Sequence, residues 1–212
     1  MSEPCQVADR MTPVVPGLLH WTVHDDRVDF RSDAYALVGE KETVLVDPLP
    51  LVEAQLGALR NLRAIVLTVQ SHQRSSWRYR KRFGLRVYAP EGAQGLEEAP
   101  DVSYGEGGEL PLGLRALHGP GPCNASFALL FERPERGILF CGDLLLRDAG
   151  GFRFVDDEYQ DDPERTRASV RRLADLPFEA LCAGHGAPAA QDGPRLVHQA
   201  LQRDAGGRKK KA

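Results

Sequence analysis

The residues best suited to chemistry in this chain stand where apolar runs end. Ala64-Ile65-Val66-Leu67-Thr68 reads as a buried strand, and it runs into Val69-Gln70-Ser71-His72-Gln73-Arg74, a polar turn that leads to a basic helix. Sites in α/β proteins tend to form at such strand ends. A second run, Thr43-Val44-Leu45-Val46, ends in Asp47-Pro48, so a carboxylate leaves the sheet there. Cys141 and Cys182 also sit at strand ends, beside Asp143 and His185, an arrangement from which a Cys–His nucleophile can be built. Buried, inert thiols are the commoner outcome at such positions. The positive run Arg78, Arg80, Lys81, Arg82 and Arg86, with Trp77, Tyr79 and Phe83, is suited to phosphates. A solvated helix face with its aromatics turned inward explains the same pattern.

The elements that must hold these residues follow from periodicity. Val14 to Thr22 contains a Pro16-Gly17 turn and a first strand. Ala34 to Val38 and Thr43 to Val46 form a hairpin about Gly39-Glu40-Lys41. From Leu51 the spacing is helical, with Val52, Leu56 and Leu59 on one face, which completes a β-α-β unit with the strand at Ala64. Arg74 to Gly84 reads as a helix stopped by Gly84, and Leu85 to Tyr88 as a strand. Glu91 to Gly108 has weak periodicity and is assigned a short helix and loops. Leu110 to His118, Ala125 to Phe131 and Gly137 to Cys141 read as strands, the last two joined by a turn containing Pro134, and His118 is a strand-end candidate to line a cleft. A helix begins at Asp161-Asp162-Pro163-Glu164, a strand at Phe178, and a terminal helix at Asp192-Gly193-Pro194 that Gly206-Gly207 should end.

With 212 residues the chain is long enough for one full core. The expected organisation is a flexible arm over 1–13, one domain over 14–205 and a disordered basic tail over 206–212. A net charge of -3 argues against a general polyanion binder, so nucleic acid is not an expected partner. No apolar run reaches the length that spans a bilayer, and no basic-then-apolar leader opens the chain, so the expected location is the cytoplasm. The four cysteines show no C-x-x-C spacing and are expected to be reduced thiols.

Four stretches in this order resemble the metallo-β-lactamase superfamily. Tyr35 to Val38 with Val44-Leu45-Val46-Asp47-Pro48 is similar to that family's opening hairpin, Phe140-Cys141-Gly142-Asp143 to its G-D motif, and Gly184-His185-Gly186 to its G-H-G. The approach and exit of Ala64 to Arg74 resemble its L-T-H-x-H-x-D-H stretch. The resemblance spans about Pro16 to Pro188 and implies a mixed α+β, α/β chain folded as a four-layer αβ/βα sandwich, with a metal site at loop ends between two sheets. It further implies that Asp143 is a bridging metal ligand, His185 a late ligand, and Asp47 a carboxylate just behind the metals.

The departures concern the ligands themselves. Val69, Ser71, Gln73 and Arg74 stand where the pattern has His, His, Asp and His, and Pro122 where a P-G-H turn would supply another His. Arg74 is a fixed cation that would repel a dication. The favoured expectation is therefore a hydrolase-like protein whose metal site is largely lost, with no cofactor. In it Arg74 pairs with Asp143, His185 and Gln73 close the polar network, and the old cleft takes a small ligand or a partner. The alternative is a mononuclear hydrolase of an ester, thioester or lactam-like substrate, using one zinc, iron or manganese ion. Asp143 and His185 would then need a third ligand, either His72 or Cys123, each one position beyond a family ligand place. A third reading is an interaction module built on the basic helix, recognisable by salt-sensitive association.

Overall fold

Strands whose two faces are both apolar must be covered on both sides, and this chain has two sets of them. The computed structural model describes residues 2–133 and 137–209. Its first sheet contains β1 (Thr12–Val15), β2 (Leu18–Asp25), β3 (Phe30–Val38), β4 (Thr43–Val46), β5 (Leu62–Val66), β6 (Arg86–Pro90) and β7 (Val102–Tyr104), neighbours in chain order. The strands are antiparallel through β4 and parallel from β4 to β7. The second sheet contains β8 (Arg115–His118), β9 (Phe127–Phe131), β10 (Ile138–Gly142) and, after a small hairpin of β11 (Leu146–Asp148) and β12 (Gly151–Arg153), β13 (Ala180–Ala183). Its order is β13-β10-β9-β8, with β10 and β13 parallel. The helices are α1 (Glu53–Gly57), α2 (Ser76–Phe83), α3 (Pro163–Leu173) and α4 (Gly193–Lys209).

Alternation along the strands sorts side chains into three cores. On β5, Ala64 and Val66 face the second sheet while Ile65 packs on the other side, with Trp77 and Tyr79 of α2 and Leu56 of α1. On β10, Ile138 and Phe140 face the first sheet while Leu139 and Cys141 pack under α3 and α4, beside Val170 and Val197. The layers are thus helix, sheet, sheet, helix, which is the four-layer αβ/βα sandwich. Cys141 and Cys182 are fully buried, one under the helices and one between the sheets. Burial pushes the Cys141 thiol up to about 12 and Cys182 well above its ordinary value. Neither is a nucleophile in this setting.

Helix ends follow local chemistry. The Asp162 side chain accepts from Arg165 N and Pro163 opens α3, whereas Gly84, at φ 65, stops α2. Three expectations are corrected. The helical stretch from Leu51 is only the five residues of α1, because Leu56 alone of them is buried. The segment before Gly108 contains β7 and no helix, since Asp101 and Tyr104 are drawn into the sheet edge by Val87 and Pro90. Gly206-Gly207 lies inside α4, which continues to Lys209. Residues 210–212 of the expected tail and the turn at Pro134 lie outside the described residues. The N-terminal arm is held by backbone bonds of Ala8 with Pro50 and Val52, and by Glu3 on Ser75 and Arg78. Among the described residues no helix is long and apolar enough to cross a membrane.

Candidate metal centre

Parallel neighbours end on the same side, so β4 and β5 in one sheet, and β10 and β13 in the other, deliver their C-terminal residues to one cleft between the sheets. β4 delivers Asp47, β10 delivers Asp143, and β13 delivers Gly184 and His185. Beyond β5 and residues 67–69 the chain turns through a short 3-10 segment, Gln70–Gln73, kinked at His72. That tight turn leaves Ser71 exposed, puts Val69 in the core and aims His72 inward.

His72, Asp143 and His185 form the group of metal-ligating side chains found among the described residues, each offering one ligand atom within 4.8 Å of the others. His72 Nε2 is 3.1 Å and His185 Nε2 is 3.5 Å from Asp143 Oδ1. Neither contact is aligned as a hydrogen bond, and Oδ1 of Asp143 is buried without a hydrogen-bond partner. The two rings meet edge to face with centroids 5.5 Å apart.

The remaining ring nitrogens are engaged. His72 Nδ1 is 2.9 Å from Asp47 Oδ2, and the other oxygen of Asp47 accepts from Thr68 N at 2.8 Å. His185 Nδ1 is 2.8 Å from the carbonyl of Arg31. A carbonyl can only accept, so His185 carries its proton on Nδ1, and Nε2 presents a lone pair to the cleft. In the same way the Asp47 carboxylate fixes Nδ1–H on His72. These are the outer contacts that orient metal-binding imidazoles.

Charge around the triad is correspondingly tuned. Burial favours the neutral acid at Asp143, but His72, His185 and Arg74 outweigh it and hold the carboxyl well below the usual carboxylate range. Burial and Arg74 oppose charge on His72, but Asp143 and Asp47 prevail and its pKa is raised. Burial, reinforced by Arg74 and His72, lowers that of His185.

Other candidates stand apart. Arg74 does not pair with Asp143: its Nη1 donates to the carbonyls of Asp33 (3.0 Å) and Asp47 (3.2 Å), and its Nη2 to that of Gly184 (3.4 Å). Its backbone, at φ 35, aims the side chain beneath the loops rather than into the cleft. Gln73 does not close the network either, because it accepts from Trp77 Nε1 and Glu97 N and donates to Gly95 O. His118 bonds the Asn124 carbonyl and stacks on Phe127. Cys123 is half-buried outside the triad, and burial pushes its thiol up to about 11. The basic helix is neutralised by Arg78–Glu3, Arg80–Asp101, Lys81–Glu98 and Arg82–Glu53.

Asp33 escaped the sequence reading. Fully buried on β3, it takes His20 Nε2 and Arg31 on one oxygen and Gly186 N at 2.6 Å on the other, which shapes the loop carrying His185. A carboxylate at the head of the apolar run Ala34 to Val38, on the same strand, was the available signal, since a buried charge implies partners.

The comparisons agree with this architecture. A metallo-β-lactamase family protein from Thermus thermophilus, TTHA1429, superposes with a TM-score of 0.67 at 20% identity over 93% of this chain and 81% of its own. DIM-1 metallo-β-lactamase exposed to ceftazidime gives 0.72 at 14%, covering 94% and 99%. TTHA1623 in a di-iron-bound form gives 0.64 at 24%, covering 85% and 98%. No curated protein matches the chain. A model described as metallo-beta-lactamase superfamily matches residues 13–202, nearly the whole domain. With strand order, loop-end site and motif order in agreement, the chain belongs to the metallo-β-lactamase superfamily.

Proposed function

We propose that this protein is a hydrolase dependent on one divalent transition metal held by His72, Asp143 and His185. The observation that supports it is the orientation of the two histidines. Both Nδ1 groups are occupied by acceptors, so both Nε2 lone pairs are directed to the place where Asp143 Oδ1 has no hydrogen-bond partner. Two imidazoles and a carboxylate suit zinc, and the solved di-iron-bound form of TTHA1623, which shares the fold, keeps iron among the candidates. A bound ion would supply Lewis acidity and an acidified water for attack on an ester, thioester or lactam-like carbonyl. In this division of labour, Asp47 holds the Nδ1 proton of His72, the Arg31 carbonyl holds that of His185, and Asp143 supplies the negative charge.

Elemental analysis of protein purified without chelators should find one zinc, iron or manganese per chain. Chelation should then remove the ion together with hydrolysis of chromogenic esters or thioesters. Protein that takes up no ion, even after incubation with zinc, iron or manganese, sinks the proposal. Asp47→Asn should keep the fold and weaken zinc binding by about 10–100-fold, the usual effect of losing the carboxylate behind a histidine ligand. An unchanged affinity in a competition titration removes Asp47 from the site.

A second reading, ligand binding in an ion-free cleft, is favoured by the raised pKa of His72 between Asp47 and Asp143. There an imidazolium bridges two carboxylates and no metal is needed. The same elemental analysis separates the two readings.

A further inference from the structure

A metal centre does not by itself explain Arg74, whose side chain lies beneath the loops that carry the triad. Its side chain is buried, and no carboxylate forms an ion pair with it among the described residues. Its two terminal nitrogens are spent on the neutral carbonyls of Asp33, Asp47 and Gly184, and its Nε is buried with no partner. The backbone is held at φ 35, a left-handed value that costs a residue with a side chain some strain. A neutral donor could tie the same carbonyls with less desolvation, so tying them does not account for the positive charge. Two of the three carbonyls belong to Asp47, which holds His72, and to Gly184, next to His185.

Building on the metal-dependent reading above, we propose that Arg74 is a built-in cation beneath the triad, a positioning residue that restricts the centre to a single ion and weakens the hold on that ion. With neutral histidines, Asp47 and Asp143 contribute two negative charges and Arg74 cancels one. A dication therefore meets half the negative charge that the carboxylates alone would offer, and a second dication meets net repulsion. At an effective dielectric of about 20, a buried guanidinium that opposes a dication from behind the loops holding its ligands reduces affinity by more than about tenfold. The loaded centre keeps a net positive charge, so it favours substrates that carry a carboxylate or phosphate near the scissile bond.

The test compares the wild-type chain with Arg74→Gln and Arg74→Lys by calorimetric zinc titration, with thermal melts to establish folding. Both variants lose the fork that ties three carbonyls, and only Gln loses the charge. Arg74→Gln should bind zinc at least tenfold more tightly than Arg74→Lys, and the wild-type chain should saturate at one ion. Equal affinities in the two variants, or two ions bound by the wild-type chain, overturn the proposal. If neither variant folds, the same comparison is made on the two variants refolded with zinc present, and two ions bound by the wild-type chain still overturn the proposal. Binding by Arg74→Gln alone would uphold the role of Arg74 while ending the metal-dependent function of the natural chain. Tight binding by wild type and both variants alike would do the reverse.

Discussion

Asp143→Ala is expected to leave a folded protein that no longer retains a metal ion and no longer hydrolyses any substrate of the wild-type chain. Asp143 is the only anionic member of the triad, and its Oδ1 is the atom from which both Nε2 atoms lie within 3.5 Å. Without it, two neutral imidazoles remain above a buried guanidinium, which leaves too few donors and the wrong charge for a dication. Losing an outer contact costs about 10–100-fold in affinity, and losing a direct ligand should exceed that. Zinc competition against a chromophoric chelator measures it, and wild-type affinity in this variant would exclude the triad as the centre.

The same substitution has a pH signature in the ion-free protein. The carboxyl of Asp143 is held below its unfolded value of about 3.9, so its stabilising contribution is present above that pH and is lost as pH falls toward the lower folded value. His72 has the opposite sign: its raised pKa contributes stability below about 6.5, and this is lost as pH rises through the folded value. Urea melts of the wild-type chain and Asp143→Ala should therefore stay apart between neutral pH and about 4 and converge only as the pH falls below about 3.9.

Gly184→Ala should damage the centre nearly as much while leaving the fold in place. A Cβ at this position would stand 2.4 Å from His72 Cε1, 3.2 Å from its Nε2 and 3.1 Å from Asp143 Oδ1. His72 cannot retreat without breaking its bond to Asp47, because it is buried between the two carboxylates. Zinc affinity should fall at least tenfold, with far-ultraviolet circular dichroism unchanged. Gly57→Ala, which has open space at the same atom, is the control and should match the wild-type protein. Equal zinc affinity in Gly184→Ala and the wild-type chain would mean that the loop relaxes more easily than this packing allows.

The architecture was legible because burial on both faces leaves a strong local trace. Val44-Leu45-Val46, Ala64 to Leu67 and Ile138 to Cys141 each send alternate residues into different cores, and a chain of such runs joined by helices folds as stacked layers. Short elements left a weaker trace. The hairpin β11–β12 has three residues per strand, and α1 has one buried residue, too little periodicity to stand out.

What the amino-acid sequence determined by itself was a mixed α/β chain with Asp47, Asp143 and His185 at strand ends. This follows from polar residues interrupting apolar runs, a property of neighbours along the chain. The layered framework was implied by the resemblance of four motifs to the metallo-β-lactamase superfamily. Only the tertiary structure decided which side chains meet. His72 reaches the triad because a 3-10 turn aims it there and Asp47 holds its ring, while Arg74 is drawn beneath the loops by carbonyls at positions 33, 47 and 184. A turn's dihedral angles and its bonds to distant segments set the direction of a side chain, and neither is written in the order of the residues around it.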